Sequence, residues 1–222
     1  MGGRKTKPAE VTVPKLSEQQ VRARFKKRYQ LAATDVFRKV LTPQLERLNS
    51  YITYEIGRSR LTYDPSPDEI QTVLDKAAKR YIRENPSDLL SSYLRQYPVP
   101  YDLGATKGAS EKPAIKVSSE VVKEVFDLET ERLRFSGKPF CPAHISSLFF
   151  GTGTSSSWFV KRNTFQGALA IQVARHLDRY LRKPLNEFRH KIEKQEKPAL
   201  PLSISVAKSK ADDRITIKFS RT

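Results

Sequence analysis

The chain of 222 residues has a single cysteine, Cys141, so it cannot form an intrachain disulfide, and a fold stapled by cystines is excluded. His144, His176 and His190 are its only histidines and are scattered. With one thiol they do not make the clustered spacing of a zinc site. No apolar run approaches the length of a membrane span, and the first residues lack the apolar core of a secretory signal. Gly151 to Ser157 (GTGTSSS) lacks the Gly-Lys-Ser/Thr end that holds nucleotide phosphates and their metal. It also lacks the GxGxxG spacing of a dinucleotide fold. Cys141, with His144 three residues on, sits between Pro139 and Pro142 with no activating neighbours. The acidic pairs Asp68/Glu69 and Glu129/Glu131 read as helix capping and solvated faces. The sequence therefore names no catalytic set and no cofactor, and the expectation is a protein that is not an enzyme.

What the chain has in excess is positive charge. Lys and Arg number 41 against 24 acids, a formal charge of +17. Residues 1–60 carry 14 basic and 5 acidic groups, and residues 164–222 carry 13 and 6. Residues 61–117 balance at 8 and 8. A field of this kind attracts phosphate backbones and anionic surfaces. An excess confined to the two terminal quarters implies dedicated surfaces rather than general solubility.

Residues 1–15 read as a flexible basic tail, rich in Lys, Arg, Gly and Pro. Residues 16–97 read as a helical region. Ser17 with Gln20 forms a capping box, and Val21, Phe25, Tyr29, Ala32, Val36 and Val40 recur at helical steps. Pro43 predicts a kink or a new helix, and the stripe resumes at Leu45, Leu48, Ile52 and Ile56. Ser66-Pro67-Asp68-Glu69 is a helix start, with Ile70, Val73, Leu74, Ala77, Tyr81 and Ile82 inward. Ser87 is the expected cap of a short helix carrying Leu89, Leu90, Tyr93 and Leu94. Residues 98–117 read as a linker.

A second helical region spans 118–197. Its first helix, near Ser119–Arg134, is expected to turn Val121, Val122, Val125, Phe126, Leu128 and Leu133 inward, with Gly137 as its stop. Residues 151–157 read as a loop, and Asn163 with Gln166 as the cap of the last long helix. In 198–222, Leu202, Ile204 and Val206 alternate, as do Ile215, Ile217 and Phe219, which reads as a β-hairpin. The fold expectation is mainly α, a multi-helix bundle-like body with a C-terminal β-hairpin and a basic flexible N-terminal tail.

Two helix faces carry the candidate site. Arg175, Arg179, Arg182 and Arg189 fall within about 40° of one line on the last helix. Leu169, Val173, Leu177, Tyr180, Leu181 and Phe188 lie opposite. Arg22, Arg24, Lys26, Lys27 and Arg28 crowd the first helix, followed by Arg38 and Lys39. Arg suits phosphate because its planar fork donates two hydrogen bonds together. Lys161 and Arg162 adjoin Trp158 and Phe159, which could stack on bases, although large aromatics are more often core.

The function expected is a nucleic-acid-binding structural protein that contacts DNA or RNA phosphates. It would be a subunit of a nucleoprotein assembly, either a viral nucleocapsid or coat or a replication, chromatin or ribonucleoprotein complex. Self-assembly or protein partners, and a nuclear or virion location, go with that reading. The alternative rests on Met1-Gly2-Gly3-Arg4-Lys5-Thr6, which fits an N-myristoylation pattern with Gly2 as acceptor. A membrane-surface matrix or adaptor protein would combine that acyl chain with the basic tail.

Overall fold

The structure is a computed structural model that describes residues 17–61, 64–100, 115–135, 155–161, 164–193, 202–208 and 214–221. Over 18, 21–22, 134–135, 155–161, 184–193, 202–208 and 214–221 the description is of the backbone. The described body is mainly helical. Six α-helices run in chain order: α1 (Glu18–Val36), α2 (Thr42–Arg58), α3 (Pro67–Glu84), α4 (Leu89–Leu94), α5 (Ser119–Phe135) and α6 (Phe165–Glu193). Extended backbone forms β1 (Ser155–Lys161), β2 (Leu202–Lys208) and β3 (Arg214–Arg221), in the sheet order β1-β3-β2. Residues 155–157, expected as loop, thus belong to an extended segment.

The helix ends follow their sequence signals. Ser17 and Ser66 each accept the backbone N–H three residues on, while Gln20 and Glu69 reach back to the cap N–H. Each box satisfies two amide donors that the first turn leaves free. Two expected caps are corrected. Asp88, not Ser87, precedes α4, and its carboxylate accepts instead from Tyr81 at 2.6 Å and Arg47 at 3.1 Å. Thr164 caps α6, its hydroxyl accepting from the Gly167 amide at 3.0 Å; Asn163 lies outside the described residues.

Pro43 stands in the first turn of α2, so the second helix expected there is present, but no break in the chain separates it from α1. Residues Phe37–Leu41 form a π-helical turn that joins α1 to α2 without interruption. Proline has no N–H to donate, and its ring crowds the carbonyl four residues back. The wider turn relieves both problems. Thr42 donates its backbone N–H five residues back to the Phe37 carbonyl, and its hydroxyl donates to the same oxygen at 3.1 Å. The added residue shifts the apolar register. Leu41, not Val40, takes the buried place after Val36, and Leu45, Leu48, Ile52 and Ile56 continue from it.

One continuous core joins residues from α1 to α6. Its largest fully enclosed side chains include Tyr29, Tyr81, Tyr93, Phe126 and Phe165. Val99, Ile115 and Val117 reach it from the ends of the expected linker, whose residues 101–114 lie outside the described ones. Helix α5 departs from its expected facing. Val122, Phe126 and Leu133 are buried, but Val121 is exposed and Leu128 is 60% exposed. The inward face is completed by Glu129 and Thr130 instead, and Tyr29 donates to the Thr130 carbonyl at 3.3 Å. Gly137 lies outside the described residues.

Candidate nucleic-acid interface

The expected basic segments are about 140 positions apart in the chain, yet α1 and α6 pack against each other more extensively than any other pair of helices. Phe25, Tyr29, Ala32, Ala33 and Val36 form the buried side of α1. Leu169, Ala170, Val173, Ala174, Leu177 and Leu181 form that of α6. Ala32, Ala33, Ala170 and Ala174 are among the buried residues of the two helices. Because each helix is apolar on one stripe, its charged stripe is left at the edge of the contact.

At that edge sits Asp35 of α1. Its carboxylate takes Lys39 Nζ at 2.9 Å, His176 Nδ1 at 3.1 Å and Arg179 at 3.2 Å. The Asp35 side chain is only 11% exposed. Burial pushes its carboxyl up, but hydrogen bonds from Lys39 and His176, and the charge of Lys39, outweigh this and hold it below the ordinary value. Asp35 therefore stays ionised and acts as a seam, tying a cation on α1's side to two groups on α6.

Around the seam the two basic sets become neighbours. At 100° per residue, Arg24 and Arg28 fall within about 40° of the Asp35 edge of α1, whereas Lys26 falls opposite it. Arg24, Lys26, Lys27, Arg38, Lys39, Arg175, Arg179 and Arg182 are exposed, and Arg28 is half-buried. Among the described residues, Arg24, Lys26, Lys27, Arg28, Arg38 and Arg175 have no carboxylate partner. Lys183, which the sequence pattern did not single out, is exposed and likewise unpaired among them. Arg182 differs: Asp178, expected to sit off the ridge, reaches it at 2.7 Å.

Arg22 and Arg189 lie on α1 and α6, and Trp158, Phe159 and Lys161 on β1, at positions where the backbone alone is described. Arg162 and Gly2 lie outside the described residues.

A second basic surface was missed. Arg58, Lys76, Lys79 and Arg83 gather with Tyr54 in a groove between α2 and α3. The balanced charge of residues 61–117 concealed it. Lys76, Lys79, Arg80 and Arg83, at steps of three and four, were the signal that could have found it.

Among the described residues no helix is long and apolar enough to cross a membrane. No family model, no curated protein and no solved structure matches the chain.

Proposed function

We propose that the chain is a non-enzymatic nucleic-acid-binding structural protein that grips phosphates with the joined α1/α6 face, as a subunit of a nucleoprotein assembly. The observation that carries the reading is the Asp35 seam. It ties Lys39 to Arg179 and so turns two distant basic segments into one surface, with Arg24, Arg28, Arg38 and Arg175 around it unpaired by any described carboxylate. Like charges held together repel unless a polyanion neutralises them. Planar guanidinium groups suit phosphate oxygens. Contacts of this kind position a duplex or strand without reading its bases, so sequence-independent binding is the mode expected.

The assembly part of the proposal uses residues 198–222 as a β-hairpin. The antiparallel register of β2 and β3, with Val206 opposite Ile217 and Ile204 opposite Phe219, supports it. In the order β1-β3-β2 the strands β1 and β2 are the edges, and an edge strand can pair with another chain, which suits a subunit that joins others.

The test is binding to single- and double-stranded DNA and RNA across a salt series. Affinity should fall steeply with salt. Changing Arg175, Arg179 and Arg182 together to Ala should flatten the log–log slope by roughly 2 to 3, at about 0.7 to 0.9 per lost phosphate contact. A flat salt response of the native chain would sink the phosphate-contact mechanism.

A further inference from the structure

The open groove between α2 and α3 has a volume of about 590 Å³. Its floor is braced. The Arg80 guanidinium lies 4.4 Å from the Tyr54 ring centroid and 5.4 Å from that of Tyr51. Arg80 also donates through Nε to Glu84 at 2.9 Å and faces Glu55 at 3.7 Å, and Tyr51 donates to the other Glu84 oxygen at 2.6 Å. A cation over a ring face is attracted by its quadrupole, and here the same guanidinium is also held by two carboxylates. Arg80 is thereby spent on structure, and the two acids of the groove are spent on Arg80.

The rim has different chemistry. Tyr54 is 47% exposed; Arg58 donates to its hydroxyl at 3.3 Å and its guanidinium lies over the ring, 5.6 Å from the centroid. Arg58, Lys76 and Lys79 have no carboxylate partner among the described residues, and Arg83 faces only Glu84, at 3.7 Å. An ordinary solvated helix face mixes its signs. This one presents four outward cations beside an aromatic ring held from beneath.

We infer that the α2/α3 groove is a binding site for single-stranded nucleic acid, with Arg58, Lys76, Lys79 and Arg83 along the phosphates and Tyr54 as the platform on which one base stacks. Base stacking on an aromatic side chain, with cations tracking the backbone, is the general means of holding single strands. A duplex keeps its bases in its own stack and offers Tyr54 nothing. The inference rests on the nucleic-acid reading but not on the α1/α6 face.

The experiment measures anisotropy of a labelled 20-mer of deoxythymidine, its duplex with deoxyadenosine, and competition by inorganic polyphosphate, which has charge but no bases. Tyr54→Ala should weaken binding of the single strand about tenfold, and leave duplex affinity, polyphosphate affinity and salt slope unchanged. Tyr54→Phe and Tyr54→Trp should restore the loss. Changing Lys76, Lys79 and Arg83 together to Ala should flatten the single-strand salt slope by about 2. In the native chain, ultraviolet crosslinking to a 4-thiouridine strand should leave its adduct on the tryptic peptide 48–58. Single-strand affinity untouched by Tyr54→Ala, equal loss toward polyphosphate, or an adduct elsewhere would overturn the groove. If the groove variants change nothing while the Arg175/Arg179/Arg182 variant loses binding, the groove falls and the proposed function stands. No binding of any nucleic acid by the native chain overturns both.

Discussion

Replacing Asp35 by Ala tests the seam directly. In the native chain its carboxylate accepts from Lys39, His176 and Arg179. Removal leaves Lys39 and Arg179 facing each other with nothing between them. Exposed ion pairs are worth about 0–1 kcal/mol, and Lys39 and Arg179 are both more than half exposed. The carboxylate itself is nearly enclosed, and hydrogen bonds to a charged group contribute about 1.5–3 kcal/mol. The expected cost is therefore about 2 kcal/mol, or roughly 6 °C in Tm for a chain of this size. The pH dependence has a definite sign. Because the folded carboxyl titrates below its unfolded value, the contribution is complete above about pH 4 and is lost as pH falls through the folded value. Urea melts of native and Asp35→Ala chains at pH 7 and pH 3 should show a gap that closes in acid. Equal stability at pH 7 would refute the seam. A gap at pH 7 that widens in acid would refute the sign. Since the variant removes the one acid of the seam and no cation, nucleic-acid binding at low salt should be unchanged or tighter.

Two further substitutions probe the core. Leu41→Ala should cost about 3 kcal/mol, as expected of an enclosed leucine, and Val40→Ala under about 1 kcal/mol; urea melts giving the reverse order would refute the π-turn register. Glu129 is 3% exposed, and although Tyr97 and Arg132 donate to Oε1, its Oε2 has no partner among the described residues. Glu129→Gln removes that buried charge at nearly constant volume and should leave stability unchanged or raise it by up to about 1 kcal/mol; a loss above about 2 kcal/mol in the same assay would show that the charge is needed.

What the sequence made legible was local. The Ser17 and Ser66 capping boxes, the α3 stripe and the apolar side of α6 depend on spacings of three and four residues, and these were readable in the chain. The π-turn was not, because Val40, four residues after Val36, continues the stripe at least as well as Leu41 does, and the shift of register beyond it coincides with Pro43. The outward turn of Val121 and Leu128 was not, because helical periodicity alone leaves α5 free to choose its buried side, and Tyr29 and Tyr97 on other elements fix that choice through Thr130 and Glu129. The basic residues of the candidate face were visible one helix at a time. Their meeting at Asp35 depends on a contact across 144 positions, which no local spacing encodes.

The uninterrupted passage from α1 through the π-turn into α2 also sets a length. Arg24, on the α1/α6 face, and Arg58, on the groove, stand on the same rod, at most about 50 Å apart at 1.5 Å per residue. The rod acts as a ruler between the two proposed grips. A ligand that touches both spans no more than about 15 base steps at the 3.4 Å rise of a duplex, so the reach between the grips is set by the helix and not by the number of charges.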